Sequence, residues 1–180
     1  TVDRIDWPSG AGVSAKVAEN QKKYYLRYLD KLQELNINAV MFQVRPMADA
    51  LYDSPYEPWT KYITGRRGKK PSWDPLPWLI SETHKRGIQF HAWMNPYRIA
   101  TRSSASTAFP ELESTIPAEW VKDYNKVRIY NPALPEVRQR IADIVADVLH
   151  QFDVDGIHFD DYFYPSLTSG ESMNDNAEYQ

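Results

Sequence analysis

The sequence predicts an α/β protein of the (β/α)8 barrel type, with these residues supplying about the first four β/α units: a half barrel built on a parallel sheet. Three observations lead there. Short apolar, β-favouring runs alternate with stretches of helical periodicity, the order expected of right-handed βαβ crossovers. The runs are nearly continuous in apolar residues, as in strands covered on both faces. Each run also ends in polar residues followed by proline or aromatics, at Arg45-Pro46, Asn95-Pro96 and Asp160-Asp161, which fits a site at the carboxyl ends of the strands. The chain has 180 residues, whereas an eight-stranded barrel takes about 250.

Taken in order, residues 1–12 read as a strand end and a loop, with Val2 and Ile5 closing the strand. Lys16 to Asn36 is expected to be helical: Val17, Tyr24, Tyr25, Tyr28, Leu29, Leu32 and Leu35 recur at three- and four-residue spacing. Its tyrosines read as core packing. Ile37 to Arg45 is the second strand, stopped by Pro46. A long loop follows, from Met47 to about Trp73, with Tyr52, Tyr56, Trp59, Tyr62 and Trp73 among acids and Arg66. Connections of that length are functional or disordered, and its aromatic content argues for function.

Asp74-Pro75 opens the second helix as N-cap and first helical residue, and Gly87 ends it. Ile88 to Asn95 is the third strand. Ile99 to about Tyr130 reads as a second long loop. Asn131 and Pro132 open the third helix region, which continues from Pro135 to Gln151, with Val137, Ile141, Ile144, Val145, Val148 and Leu149 as its stripe. The fourth strand follows from Asp153. The domain is expected over residues 1–165, with 166–180 a polar, acidic tail of low order or a truncated continuation.

Composition excludes several classes. The formal net charge is −3 and the sequence pI about 5.8, without the basic stripe of a nucleic-acid binder. No apolar run reaches the ~18–20 residues of a membrane helix. Cysteine is absent, which removes disulfides, thiolate metal sites and a cysteine nucleophile.

The stretch Asp153-Val154-Asp155-Gly156-Ile157-His158-Phe159-Asp160-Asp161-Tyr162-Phe163-Tyr164-Pro165 carries the chemistry. Strand alternation puts His158 and Asp160 on one face, Ile157 and Phe159 on the other. Adjacent carboxylates repel, so stability gives little reason for Asp160 beside Asp161; capping of the next turn is the plain structural reading.

That stretch resembles the glycosyl-hydrolase-like family 10 proteins, bacterial (β/α)8 barrels related to the α-amylase-type glycosidases. Further matches run in the same order: Ile5-Asp6-Trp7-Pro8; Asn38 to Pro46 with Asp49-Ala50-Leu51-Tyr52; Trp73-Asp74-Pro75-Leu76; His91 to Arg98; and Asn131-Pro132 with Pro135-Glu136-Val137-Arg138. They cover almost everything up to Pro165. The resemblance implies a glycoside hydrolase acting on a bacterial-envelope or dietary polysaccharide, such as peptidoglycan glycan strands, in a secreted or periplasmic setting and without a cofactor. Family members continue through four more strands.

Glycoside hydrolysis needs two carboxyl groups about the scissile bond. In the related barrels the nucleophile ends the fourth strand, and Asp160 is the match. Asp161, the other candidate catalytic carboxylate, would orient Arg45 or cap the turn. Arg45 would hold Asp160 ionised, or else form a structural ion pair beneath the site. Asn95 and His158 would bind sugar hydroxyls, although a satisfied core histidine is the plainer reading of His158, as of His91. Tyr97, Arg98 and Tyr162 would line subsites. Trp59, Trp73 and Trp120 would offer flat faces to sugar rings, against plain packing. No glutamate follows a strand end as a general acid should; Glu57, Glu111 and Glu113 lie in the long loops. These residues by themselves are therefore expected to hydrolyse little.

Two other classes stay open. One is a non-catalytic carbohydrate-binding barrel. The other is a metal-dependent hydrolase or deacetylase using Asp153, Asp155, His158, Asp160 and Asp161, of which strand geometry lets only His158 and Asp160 share an ion. A half barrel also leaves open strand edges, from which self-association is expected.

Overall fold

The computed structural model describes residues 2–3, 6–160 and 163. In chain order these form β1 (Val2–Asp3), β2 (Trp7–Pro8), α1 (Ala15–Glu34), β3 (Ala39–Arg45), α2 (Lys61–Thr64), α3 (Pro75–His84), β4 (Gln89–Met94), β5 (Arg98–Thr101), β6 (Val121–Tyr124), β7 (Val127–Tyr130), α4 (Pro135–Gln151) and β8 (Gly156–Phe159).

The main sheet is parallel, in the order β3-β4-β8. Its register pairs Phe42 with Ala92 and Ala92 with Ile157, and these side chains share the helix-facing side. Phe42, Val44, Phe90, Ala92 and Met94 meet Tyr25 and Leu29 of α1, Leu76, Leu79 and Ile80 of α3 and Val148 of α4 in one buried cluster. Each Val, Leu, Ile, Phe and Met among them contributes roughly 1.5–3 kcal/mol by leaving water. The sheet and its covering helices form an open α/β arc of the kind successive barrel units make.

Local chemistry sets the helix ends. The Ser14 hydroxyl accepts the Val17 N–H at 3.3 Å and caps α1. Ala18, Gln21, Tyr25 and Leu29, spaced three and four apart, are its buried face. Tyr28 departs from the expected core stripe and is exposed. Pro75 opens α3 with its fixed φ, and Gly87, at φ +68°, turns the chain into β4.

Three expectations change. The first barrel strand is two residues long among the described residues: Trp7–Pro8 pairs with β1 rather than β3, although Trp7 packs edge-on to Phe42 at 5.5 Å. The stretch from Met47 to Trp73 is not an exposed aromatic loop. It contains α2 and buries Ala48, Ala50, Leu51, Tyr52, Trp59 and Ile63, so packing accounts for much of its aromatic content. The stretch from Ile99 to Tyr130 is not a loop either. It carries an antiparallel sheet in the order β5-β7-β6, folded over a second apolar cluster of Ala48, Ile99, Ala100, Ile116, Tyr130 and Val137. The β6–β7 turn runs through Asn125 at φ +34°, a residue type that tolerates that conformation. The expected tail, residues 166–180, lies outside the described residues.

Candidate functional site

The other face of the parallel sheet carries few apolar groups. Its cross-strand rows are Met41–His91–Gly156 and Gln43–Trp93–His158. His158 stands edge-on to Trp93 with ring centroids 6.4 Å apart and is half-buried. His91 is half-buried too, and its Nε2 lies 3.4 Å from Gln89 Oε1. Asp160 follows β8 directly and is half-buried.

At the carboxyl ends of β3 and β4 the chain is tied in several ways. The register shifts between Gln43 and Arg45. Asn95 N–H donates to Arg45 O at 2.9 Å, and Asn95 Nδ2 donates to Pro46 O at 3.1 Å. Arg45 Nη1 donates to Asn95 O and, at 2.9 Å, to Pro96 O. Asn95 is 2% exposed and its Oδ1 is buried with no hydrogen-bond partner among the described residues.

Of its two expected roles Arg45 takes the structural ion pair, and its partner is Glu57 rather than Asp160. Arg45 is 1% exposed, and Nε and Nη2 bind Glu57 through both carboxylate oxygens, at 2.7 and 2.5 Å. Burial by itself would lower the guanidinium; the charge and hydrogen bonds of Glu57, with Tyr130 and Asp49 nearby, together outweigh it and hold Arg45 above its ordinary value. Arg45 is thus part of a buried ion pair, not a surface that meets a ligand. Part of the signal for this pair lay in the sequence. An arginine closing a buried strand needs a carboxylate, and Glu57 sits in a segment rich in buriable side chains.

The other candidates fall in different places. Tyr97 is half-buried, 6.2 Å from the Phe163 ring, and its carbonyl accepts Tyr130 N–H at 2.8 Å. Arg98, half-buried, opens β5 opposite Ile129. Trp59 is 6% exposed, which makes it packing rather than a sugar platform. Trp73 belongs to the helix layer: its ring meets Trp7 and Trp78, Lys22 Nζ lies 4.8 Å above it, and Nε1 donates to Gln21. Trp120 packs against the second cluster. Asp161 and Tyr162 lie outside the described residues.

Two further polar groups were not singled out in the sequence. The Tyr130 hydroxyl is buried without a hydrogen-bond partner, and burial, with Glu57 nearby, pushes it up to about 12. Asp49 is 2% exposed, and burial pushes its carboxyl up to about 6 against the opposing pull of Arg67. Arg67 Nη1 lies 3.3 Å from Asp49 Oδ2, Nε donates to Glu113 at 2.8 Å, and Nη2 donates to Ala48 O at 2.7 Å. The cleft beside them, about 260 Å³, also takes in Lys61, Tyr62 and Arg128. At the opposite end of the sheet, Asp155 Oδ2 accepts the Phe90 N–H at 2.7 Å and meets His84 Nε2 at 2.8 Å. The Phe90 N–H, then His84, hold its carboxyl below the usual range. Asp155 is therefore engaged away from Asp160.

Parallel strands sending polar residues to one end, with long excursions after β3 and β4, define the (β/α) barrel class of α/β proteins. The chain belongs to the family described as Glycosyl hydrolase-like 10, whose profile matches residues 1–180. It is 43% identical over 184 residues to "Glycosyl hydrolase YngK" of Bacillus subtilis (strain 168), and 39% identical over 194 residues to "Glycosyl hydrolase DigH" of Escherichia coli (strain K12). Both alignments cover 100% of this chain, which spans 35% and 44% of those two relatives. Among solved structures, the "galactosidase domain of alpha-galactosidase-sucrose kinase, AgaSK" is similar over 75% of this chain and 18% of its own, at 15% identity and a TM-score of 0.45.

Proposed function

We propose that the chain forms the nucleophile-bearing part of a glycoside hydrolase that cuts a polysaccharide of the bacterial envelope or the diet. In this reading Asp160 is the nucleophile or base, with Asp161 beside it, and the second carboxyl group comes from outside this chain. Asn95, Tyr97, Arg98, His158 and Tyr162 bind the sugar. The observation that supports the reading best is Asn95: a buried side chain at the end of β4 whose Oδ1 has no hydrogen-bond partner. A sugar hydroxyl is a donor of the right kind, and an unmet buried acceptor is costly enough to invite one.

The test is reducing-end release from peptidoglycan glycan strands and from plant polysaccharides. The protein tested carries this chain within the full length of its relatives. Asp160→Asn should lower kcat by about 10³-fold or more with little change in KM, as expected when an interaction made only in the transition state is lost. Undiminished turnover in that variant would overturn the assignment. The 180 residues of this chain should show almost no turnover by themselves.

A further inference from the structure

We infer that Glu57, acting through Arg45, is a positioning residue for Asn95. This rests on the reading of Asn95 as a sugar contact, and it concerns what fixes the main chain that carries that side chain.

A guanidinium presents its donors in a rigid fork. Glu57 takes one edge of the fork completely, at Nε and Nη2. The orientation of the remaining nitrogen is then no longer adjustable: Nη1 faces the carbonyls of Asn95 and Pro96. Without Glu57 the arginine would have rotameric freedom and no reason to address β4. The carboxylate comes from twelve residues beyond Arg45, in the excursion after β3, so the excursion is coupled directly to the end of the neighbouring strand.

Asn95 is held on every other side. Its N–H goes to Arg45 O, its carbonyl takes Arg45 Nη1, and its Nδ2 goes to Pro46 O. The only polar atom left over is Oδ1, which is buried and unpartnered. The Nδ2–Pro46 O hydrogen bond fixes the amide and Arg45 fixes the main chain beneath it, which leaves the acceptor available. Arg45 and Glu57 spend their polar atoms on protein partners, so neither meets a ligand directly. Their effect on binding passes through the Asn95 amide.

The experiment is NMR on the full chain, comparing wild type with Glu57→Gln, which keeps the shape and removes the charge. The Asn95 side-chain amide should shift and broaden, and the Asn95 backbone N–H should exchange about tenfold faster, while amides around Leu29 stay unchanged. Unmoved Asn95 signals in a folded but destabilised variant would mean that the pair serves stability only, and would overturn the inference. Should Glu57→Gln fail to fold, Glu57→Asp, which keeps the charge and shortens the reach, provides the reading: the Asn95 amide signals should shift in it, and unmoved signals would overturn the inference. Glycan titration of the wild type, followed at the same Asn95 signals, tests the sugar-contact reading separately, because the coupling of Glu57 to Asn95 is measured with no ligand present.

Discussion

The His91 imidazole occupies the space that a side chain on Gly156 would need. A Cβ at that position would stand 2.6 Å from His91 Nδ1 and 2.9 Å from Cε1. The two residues are direct partners in the β4–β8 register, so the bare backbone of one strand is the seat for the ring of the next.

Gly156→Ala should therefore cost about 1–3 kcal/mol, the usual range for overpacking. Urea unfolding measures it. In the His91→Ala background the same change should cost much less, and a double-mutant cycle with no coupling would show that the ring moves aside freely.

Glu57→Ala leaves a buried guanidinium unpaired and should cost about 3–5 kcal/mol. Replacing Arg45 and Glu57 together by apolar residues of similar size should cost less than the single change. Glu34→Ala, at a pair whose side chains are 65% exposed, should shift stability by less than about 1 kcal/mol. Denaturant midpoints at constant slope separate the three.

Asp49 gives a pH dependence with a definite sign. Burial raises its folded carboxyl from the ordinary 3.8 to about 6, so between those values the folded chain binds more protons than the unfolded one. The Asp49 contribution then falls as pH rises through that window, by on the order of 1 kcal/mol per pH unit. Asp49→Asn should flatten this part of the stability profile; an unchanged slope would place the titration elsewhere.

Apolar side chains at solvent, among them Met41, Leu149 and Phe159 at 48%, 52% and 42% exposure, predict concentration-dependent self-association of this chain. Light scattering should show it, and Met41→Lys should weaken it. A monomer at all concentrations would count against it.

The parallel strands and their helices were legible because their signals are local: continuous apolar runs, the Asp74-Pro75 start, Gly87 at the turn. The α4 span was read closely: the region expected to open at Asn131 and Pro132 is helical over Pro135–Gln151. The antiparallel sheet was missed because β5, β6 and β7 are four residues each and their apolar residues serve a cluster assembled from distant segments, Ala48 and Val137 included. The Arg45–Glu57 pair was missed for a related reason. A sequence shows that a buried strand ends in a cation, but which carboxylate reaches it depends on how the following excursion folds back. The tryptophans show the same limit, since ring content does not distinguish Trp73 in the helix layer from a residue at the rim.

Asp155 and Asp160 look interchangeable on the page, yet they occupy opposite poles of β8. Asp155 is a clasp at the strand's entry, pinned to Phe90 N–H and His84, and its carboxyl is held below the usual range. Its contribution is present above the ordinary carboxylate range and fades as acid protonates it. Acidification thus loosens the strand from the end remote from Asp160. A loss of stability at low pH would on that account come in part from this anchor, and an Asp155→Asn protein, which lacks the titrating carboxyl, would lack that part.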